Sequence, residues 1–266
     1  MDNFVAEDFF DSKLLEYSKL ILPSVSIGNV PQLTIDLLTT TLDVKRVGFI
    51  DDENVIPVAG TREDTQGAVF QSNDRKWTLI QQRAPLIRKH LPQFARSLIS
   101  FIEAFKFSEV IFLSSADACR RIDAQIIGTP LRILTTSSIS NDLQTRITSL
   151  ELKQLEHVKS EDFIKPHHQQ DVGSTTTDSD DVPQIPGGGV TKHLYQLAKE
   201  KNLPLVVILW FATEGGKNYY NTPDAIQLAN HANSLLGLFP SQDSVAWKAP
   251  KSWQGIFGKP FEKELY

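Results

Sequence analysis

The hydrophobic residues of this chain form short continuous runs separated by segments with helical spacing. Runs of strand length lie at residues 20–22, 46–50, 109–115 and 205–212. Continuous apolarity without polar alternation is typical of strands that are covered on both faces. Between these runs, apolar residues recur at every third or fourth position, as in amphipathic helices. This alternation predicts an α/β fold, a single-domain three-layer sandwich with a largely parallel central sheet.

Five helices and an antiparallel hairpin are predicted from the same pattern. The last helix begins with Thr222, the expected N-cap, and Pro223, which the first turn of a helix tolerates. Residues 68–83 predict the hairpin, with its turn at 72–75, and residues 130–136 predict a further strand. The predicted helices cover roughly residues 31–42, 92–105, 141–155, 189–202 and 222–238.

Composition separates a central domain from polar flanks. Residues 1–18 are predicted to be a flexible acidic N-terminal segment, residues 19–240 an α/β domain, and residues 241–266 an irregular C-terminal extension. The composition changes over residues 159–188, where the stretch "DVGSTTTDSDDVPQIPGGG" consists mainly of Ser, Thr, Asp, Gly and Pro with almost no large apolar residue. Such a segment buries too little surface to offset the entropy of ordering it, so we expect a disordered insertion. A linker between two independent domains is the alternative.

Charge and cysteine content narrow the function classes. The net charge of −5 and the pI of about 5.7 leave no basic footprint for nucleic acid. The only cysteine is Cys119, so no intramolecular disulfide forms, in keeping with a reducing compartment. The longest apolar run, at residues 205–212, is too short for a membrane span, and the N-terminus lacks signal-peptide features. We therefore expect a cytoplasmic or nuclear location, or both.

The motifs of catalysis and cofactor binding are missing from the sequence. Cys119 follows a predicted strand in "SSADACRRID", but none of the six histidines forms a recognisable base motif with it, nor with Ser114 or Ser115. The adjacent His167 and His168 have no Cys pair or HExxH beside them. The "SVSIGNVPQ" and "PGGGVTKHL" stretches match neither phosphate-loop fingerprint, so they indicate a tight turn and a hinge. We predict no catalytic residue, no metal and no cofactor.

One stretch, "FATEGGKNYYNTPDA", places carboxylates at a strand end. Glu214 follows the strand, and Asp224 follows Pro223 in the first turn of the next helix. Ligands of α/β folds bind at this edge of the sheet. A carboxylate in the first helical turn also interacts favourably with the helix dipole. Both interpretations of Asp224 stay open at this point.

Four stretches and one segment near the C-terminus, called the coda below, together resemble one family. They are "LPSVSIGNVPQLTIDLL", "LIQQRAPLI", "GGGVTKHLYQLAKE", "TEG…TPDA" and the coda "WKAPKSWQGIFG". In order and spacing they resemble the PAC2 family of proteasome assembly chaperones, from about residue 20 onward. The residues that carry the family motifs are Gly28, Asn29, Gln82, Arg83, Glu214, Pro223, Asp224 and Trp253.

The resemblance implies binding rather than catalysis. It implies a phosphorylase-like α/β domain without the active site, paired with proteasome assembly chaperone 1 as a heterodimer. It also implies partners among the proteasome α-subunits, a role in α-ring formation for the 20S core particle, and a block on premature docking of the regulatory cap. Nucleic acid and membrane are not implied. The alternative is a small-molecule enzyme of phosphorylase-like or hydrolase-like fold, and a generic scaffold is a third possibility.

The resemblance also gives the last residues a role. Family members carry a hydrophobic-Tyr-X signature whose side chains enter a pocket between α-subunits. Here Leu265 stands in the hydrophobic place and Tyr266 follows it, but the residue X is missing. Leu265 and Tyr266 are therefore the predicted docking residues for the α-ring, with one departure from the pattern. A mobile end that packs on nothing is the competing interpretation.

Overall fold

A computed structural model describes residues 3–56, 67–157, 182–214, 221–239, 245–251 and 253. The predicted docking residues Leu265 and Tyr266 lie outside the described residues, as does most of the predicted insertion. The described helices include none with the length and apolar character that a bilayer crossing requires.

Eight strands of the described chain form one mixed sheet in the order β1-β3-β4-β5-β2-β6-β8-β7. The four central strands β5, β2, β6 and β8 run parallel, and the remaining strands on both sides pair antiparallel. The predicted sandwich with a hairpin is confirmed, although its parallel part is confined to the centre. The strands are β1 (Phe4–Ala6), β2 (Lys19–Pro23), β3 (Lys45–Ile50), β4 (Ala68–Gln71), β5 (Trp77–Gln81), β6 (Glu109–Asp117), β7 (Leu131–Thr135) and β8 (Leu205–Ala212).

Helices cover both faces of the sheet, which explains the continuous apolar runs. On β2, Leu20 and Leu22 pack with α2 and α5, whereas Ile21 packs with α1 and α6 on the opposite face. All eight residues of β8 are buried. Each large apolar side chain that is fully buried contributes about 1.5–3 kcal/mol, so the central strands dominate the stability. The helices are α1 (Val30–Thr41), α2 (Leu91–Phe105), α3 (Asp123–Ile126), α4 (Asn141–Ser149), α5 (Thr191–Glu200) and α6 (Thr222–Leu236).

The N-terminal segment differs from the predicted flexible residues 1–18. Strand β1 pairs antiparallel with β3, and Leu15 is fully buried. The Phe4 ring lies 5.9 Å from Phe101 and 5.4 Å from Phe105, measured between ring centroids. Aromatic packing of this kind offsets the cost of ordering a three-residue strand. The described part of this segment therefore belongs to the domain.

Two predicted helix boundaries are also corrected. Helix α4 ends at Ser149 rather than near Leu155, because Glu151 takes a left-handed conformation with φ of 50°. The chain then turns back, and the Leu155 N–H donates to Ile133 O at 2.8 Å on the edge strand β7. At α6, Asn221 occupies the N-cap position and Thr222 is the first helical residue.

The last residues of the predicted disordered insertion 159–188 contact the domain. Residues 182–188 are described, and Val182 is buried in the core beside α2 and α5. The Asp117 N–H donates to Pro186 O, and the Ile27 N–H donates to Gly187 O, at 2.8 and 2.9 Å. These contacts connect the segment to the ends of two central strands, so it is part of the domain.

Candidate binding scaffold at the carboxyl edge of the sheet

The turn after β2 is held by one side chain from the far end of the sequence. Asn221 Nδ2 donates to Gly28 O at 3.0 Å and to Thr213 O at 3.1 Å. Gly28 has a φ of 71°, and a Cβ added there would lie 2.0 Å from Asn221 Nδ2. Asn29 is also left-handed, with a φ of 54°, and its Oδ1 accepts from Gln32 Nε2 at 3.3 Å. Gly28 and Asn29 therefore make a tight connection between β2 and α1, and no phosphate cradle is needed to explain them.

The carboxylates of the "TEG…TPDA" stretch lie at this same edge. Glu214 is exposed just after β8, and Pro223 and Asp224 occupy the first turn of α6. Burial raises the pKa of Asp224, and the neighbouring Trp210 indole lowers it to a smaller extent, although no hydrogen bond of standard length joins them. In the described residues, no three His, Cys, Asp or Glu side chains are grouped to hold a metal ion. The first-turn position of Asp224 is the one that the helix-dipole interpretation requires, although burial outweighs the dipole in its effect on the pKa.

Buried hydroxyls near this edge bond to one another and to the backbone. The hydroxyls of Ser26 and Ser115 lie 2.8 Å apart, and Ser115 Oγ donates to Ile27 O at 2.6 Å. A serine nucleophile needs a base that accepts its proton, and here a backbone carbonyl accepts it instead. The pair fixes the turn after β2 against β6.

A second hydroxyl pair holds the glycine-rich stretch that precedes α5. Ser114 Oγ lies 2.7 Å from Thr191 Oγ1, which donates to Gly188 O. Ser24 Oγ donates to the same carbonyl at 2.8 Å. Gly189 has a φ of 61°, and a Cβ there would lie 2.3 Å from Val25 O. The "PGGG" stretch is therefore a close-packed connection rather than the predicted hinge.

Cys119 sits in a short turn at the end of β6. Its side chain is exposed, and its backbone N–H donates to Asp117 Oδ1 at 2.9 Å. Activation of a thiol requires a base or a cation that stabilises the thiolate. The described contacts of Cys119 involve its backbone, so they give the thiol no such partner.

A buried carboxylate on α1 brings together two of the family-motif residues. Asp36 is 3% exposed, and its Oδ1 accepts from Arg83 Nη2 at 2.7 Å and from Gln81. Its Oδ2 accepts from Trp253 Nε1 at 2.8 Å. Burial raises the pKa of Asp36, whereas the Arg83 charge and the hydrogen bonds from Trp253, Gln81 and Arg83 lower it to a smaller extent. Gln82, which lies between Gln81 and Arg83 in sequence, is also buried but lines the opposite side of the sheet with Leu22 and Phe94, and its Nε2 donates to Ala84 O at 3.4 Å.

Seven of the eight family-motif residues, all except Gln82, thus fall into two structural groups. Gly28, Asn29, Glu214, Pro223 and Asp224 shape the carboxyl edge, and Arg83 and Trp253 meet at Asp36. Sequence reasoning missed the side chains on which both groups depend, Asp36 and Asn221. The signal for Asp36 was present, because a charged residue lies between two apolar residues of α1, Ile35 and Leu37, that are both buried. Asn221 carried no such signal, since its partners lie 193 and 8 residues away.

Comparison with known sequences places this scaffold among its relatives. The family profile described as the PAC2 family matches residues 20–244. A protein of Danio rerio named Proteasome assembly chaperone 2 is 37% identical over 260 residues, which cover 93% of this chain and 94% of the fish protein. The Homo sapiens protein of the same name is 30% identical over 264 residues, with 93% and 94% coverage.

Solved structures agree with the fold. Pyrococcus furiosus PbaA, described as an archaeal homolog of proteasome-assembly chaperone, superposes with a TM-score of 0.61 at 16% identity and covers 91% of this chain and 88% of its own. Pyrococcus furiosus PbaB, described as an archaeal proteasome activator, superposes with a TM-score of 0.56 at 13% identity, with 91% and 92% coverage. At these identities the likeness concerns the fold alone. Because the family profile spans most of the chain and relatives above 30% identity match over nearly their whole length, this chain belongs to the PAC2 family.

Proposed function

We propose that this protein is a chaperone for assembly of the proteasome core particle and acts by binding, without catalysis. The observation that carries the proposal is the 30–37% identity with proteins named Proteasome assembly chaperone 2, over nearly the full length of this chain and of each relative. The site geometry supports it. The buried hydroxyls of the carboxyl edge form structural hydrogen bonds and Asp224 lies at a helix end, which suits a rigid scaffold.

The proposal has three finer parts. The protein pairs with proteasome assembly chaperone 1 as a heterodimer, the pair promotes formation of the α-ring, and it keeps the regulatory cap from docking early. The place of action is the cytoplasm, the nucleus or both. Two chaperones joined rigidly gain affinity for a ring of subunits, because the second contact forms at a high effective concentration.

Affinity purification of the tagged full chain, followed by mass spectrometry, tests the proposal. We expect the eluate to contain proteasome α-subunits, and to contain proteasome assembly chaperone 1 in about the same molar amount as the tagged chain. An eluate without α-subunits would contradict the chaperone role. A melting temperature that rises with a phosphorylated or glycosylated small molecule, but not with the companion protein, would favour the enzyme alternative.

The docking role of Leu265 and Tyr266 is tested separately. We expect the double substitution Leu265→Ala and Tyr266→Ala to lower recovery of α-subunits severalfold while leaving the companion bound, because a leucine and a tyrosine supply the buried area of the contact. The matched control is Lys263→Ala with Glu264→Ala, which changes two neighbouring side chains of the same segment. Equal recovery from both variants would show that the two residues do not dock.

A further inference from the structure

The described C-terminal residues lie across the helix layer formed by α1 and α6. We call residues 245–251 and 253 the C-terminal strap. Trp247 Nε1 donates to Asn230 Oδ1 on α6 at 2.7 Å, and the Lys248 N–H donates to Thr41 Oγ1 at the end of α1 at 3.1 Å. The strap has no regular secondary structure over residues 245–250, so side chains and caps hold it in place.

Trp253 is the most buried of the described residues of the strap. It is 4% exposed and belongs to the core cluster of α1 and α6. Its indole N–H reaches Asp36, which lies 217 residues earlier in the chain. A hydrogen bond from a neutral donor to a charged acceptor is stronger than one between two neutral groups.

If Asp36 only filled space, burying its carboxylate would cost more free energy than burying an apolar side chain. Its helix neighbours Ile35 and Leu37 are apolar and buried in the layer formed by α1 and α6. The ion pair of Asp36 joins a buried carboxylate to Arg83, whose side chain is 30% exposed, and the cost of removing the carboxylate from water offsets much of the attraction. Its three donors instead fix one geometry, with Trp253 on one carboxylate oxygen and Arg83 and Gln81 on the other.

We propose that Asp36 is a positioning residue that seats Trp253 and thereby fixes the point on the α1 side of the domain from which the following residues depart. Tyr266 lies 13 residues beyond Trp253, a span of at most about 45 Å when extended. Without this anchor, the last fixed tryptophan would be Trp247, six residues earlier. The consequence for docking rests on the proposed function, whereas the anchoring itself does not.

A distance measurement between two spin labels tests the anchoring directly. The single native cysteine, Cys119, is exposed and takes one label, and Gln254→Cys provides a second site just beyond Trp253. We expect a narrow distance distribution in the otherwise native chain. Trp253→Phe removes the indole N–H and keeps an aromatic ring, and we expect it to broaden the distribution at least twofold. Trp247→Phe is the matched control, with a distribution as narrow as that of the native chain.

Variants of Asp36 separate seating from folding. Asp36→Asn keeps one acceptor oxygen and replaces the other with an NH2 donor. Since Arg83 and Gln81 donate to one side of the group and Trp253 to the other, we expect the oxygen to face the two donors and the NH2 to face the indole N–H, which should broaden the distribution. Asp36→Ala removes both acceptors and should broaden the distribution as Trp253→Phe does. Should Asp36→Ala fail to fold, Asp36→Asn gives the same readout with a side chain of the same size. A distribution that stays narrow in Trp253→Phe overturns the proposal.

The docking consequence has its own readout. The quantity to compare is the loss of α-subunit recovery caused by the double substitution Leu265→Ala and Tyr266→Ala. We expect this loss to be smaller in Trp253→Phe than in the native chain, and unchanged in Trp247→Phe. Broad distances with unchanged recovery would overturn the docking consequence and leave the proposed function intact. A native chain that recovers no α-subunits would remove the proposed function, while the spin-label distances would still decide whether Asp36 seats Trp253.

Discussion

At the scale of single residues, Asp36 is a carboxylate buried in an apolar layer and stabilised there by three hydrogen-bond donors. The carboxylate is removed from water, which raises its pKa, and three donors return part of the lost solvation. Because desolvation outweighs the donors, the ionised group is less favourable in the folded protein than in the unfolded chain. Asp36 thus opposes folding at a pH where it is ionised, and its benefit lies in geometry.

The raised pKa predicts a pH dependence. Between the ordinary pKa of 3.8 and the higher folded value, the folded protein binds more protons than the unfolded chain, so stability falls as pH rises. Asp36→Asn does not titrate at this position. We expect the free energy of unfolding of the native chain, minus that of Asp36→Asn, to decrease as pH rises from about 4 through the folded pKa of Asp36. Urea unfolding of both proteins at several pH values measures this, and a difference that increases with pH would contradict it.

Gly28 predicts a second effect at this scale. In Gly28→Ala, the new Cβ displaces Asn221 and breaks two hydrogen bonds, each with a net contribution of about 1 kcal/mol. Gly128→Ala is the matched control, because Gly128 also has a positive φ, of 94°, but nothing lies within 4 Å of its Cβ position. We expect Gly28→Ala to lower the free energy of unfolding by about 2 kcal/mol more than Gly128→Ala. Equal losses in thermal or chemical unfolding would show that Asn221 moves aside without cost.

At the scale of elements, the hydrophobic pattern carried most of the information. The central strands β2, β6 and β8 and the helices α2 and α5 were predictable, because each buries a run or stripe long enough to show its period. Strand β1 was not, since three residues give no period and its order comes from Phe101 and Phe105 on α2. Elements fixed by distant partners lie beyond the reach of local pattern.

The glycine-rich connection before α5 predicts where a deletion is tolerated. Replacing residues 158–181 with a short Gly-Ser linker removes a polar segment with few large apolar residues, so we expect cooperative unfolding to remain. Extending the deletion to residue 188 also removes the carbonyl that accepts from Ser24 and Thr191, and it removes Val182 from the core. We expect the longer deletion to lose several kcal/mol. Circular dichroism during thermal unfolding compares the two, and equal stability would contradict the assignment of residues 182–188 to the domain.

At the scale of the whole molecule, the mixed sheet is a scaffold closed on both faces. Its carboxyl edge, where related architectures bind ligands, is occupied by turns that bond to one another through Asn221, Ser115 and Thr191. The family-motif residues therefore shape the scaffold, and sequence alone could identify them without giving their partners. The surfaces that contact other proteins could not be predicted in the same way, because they depend on the shape of the partner as well as on the packing of this chain.

The most direct test of the central claim is reconstitution of α-ring assembly from purified α-subunits and the companion chaperone, with and without this protein. Native mass spectrometry would follow the fraction of α-subunits in complete rings over time. We predict that adding the protein in equimolar amount to its companion raises that fraction severalfold and yields rings with both chaperones bound. An unchanged ring fraction, with this protein remaining separate from the α-subunits, would contradict the account.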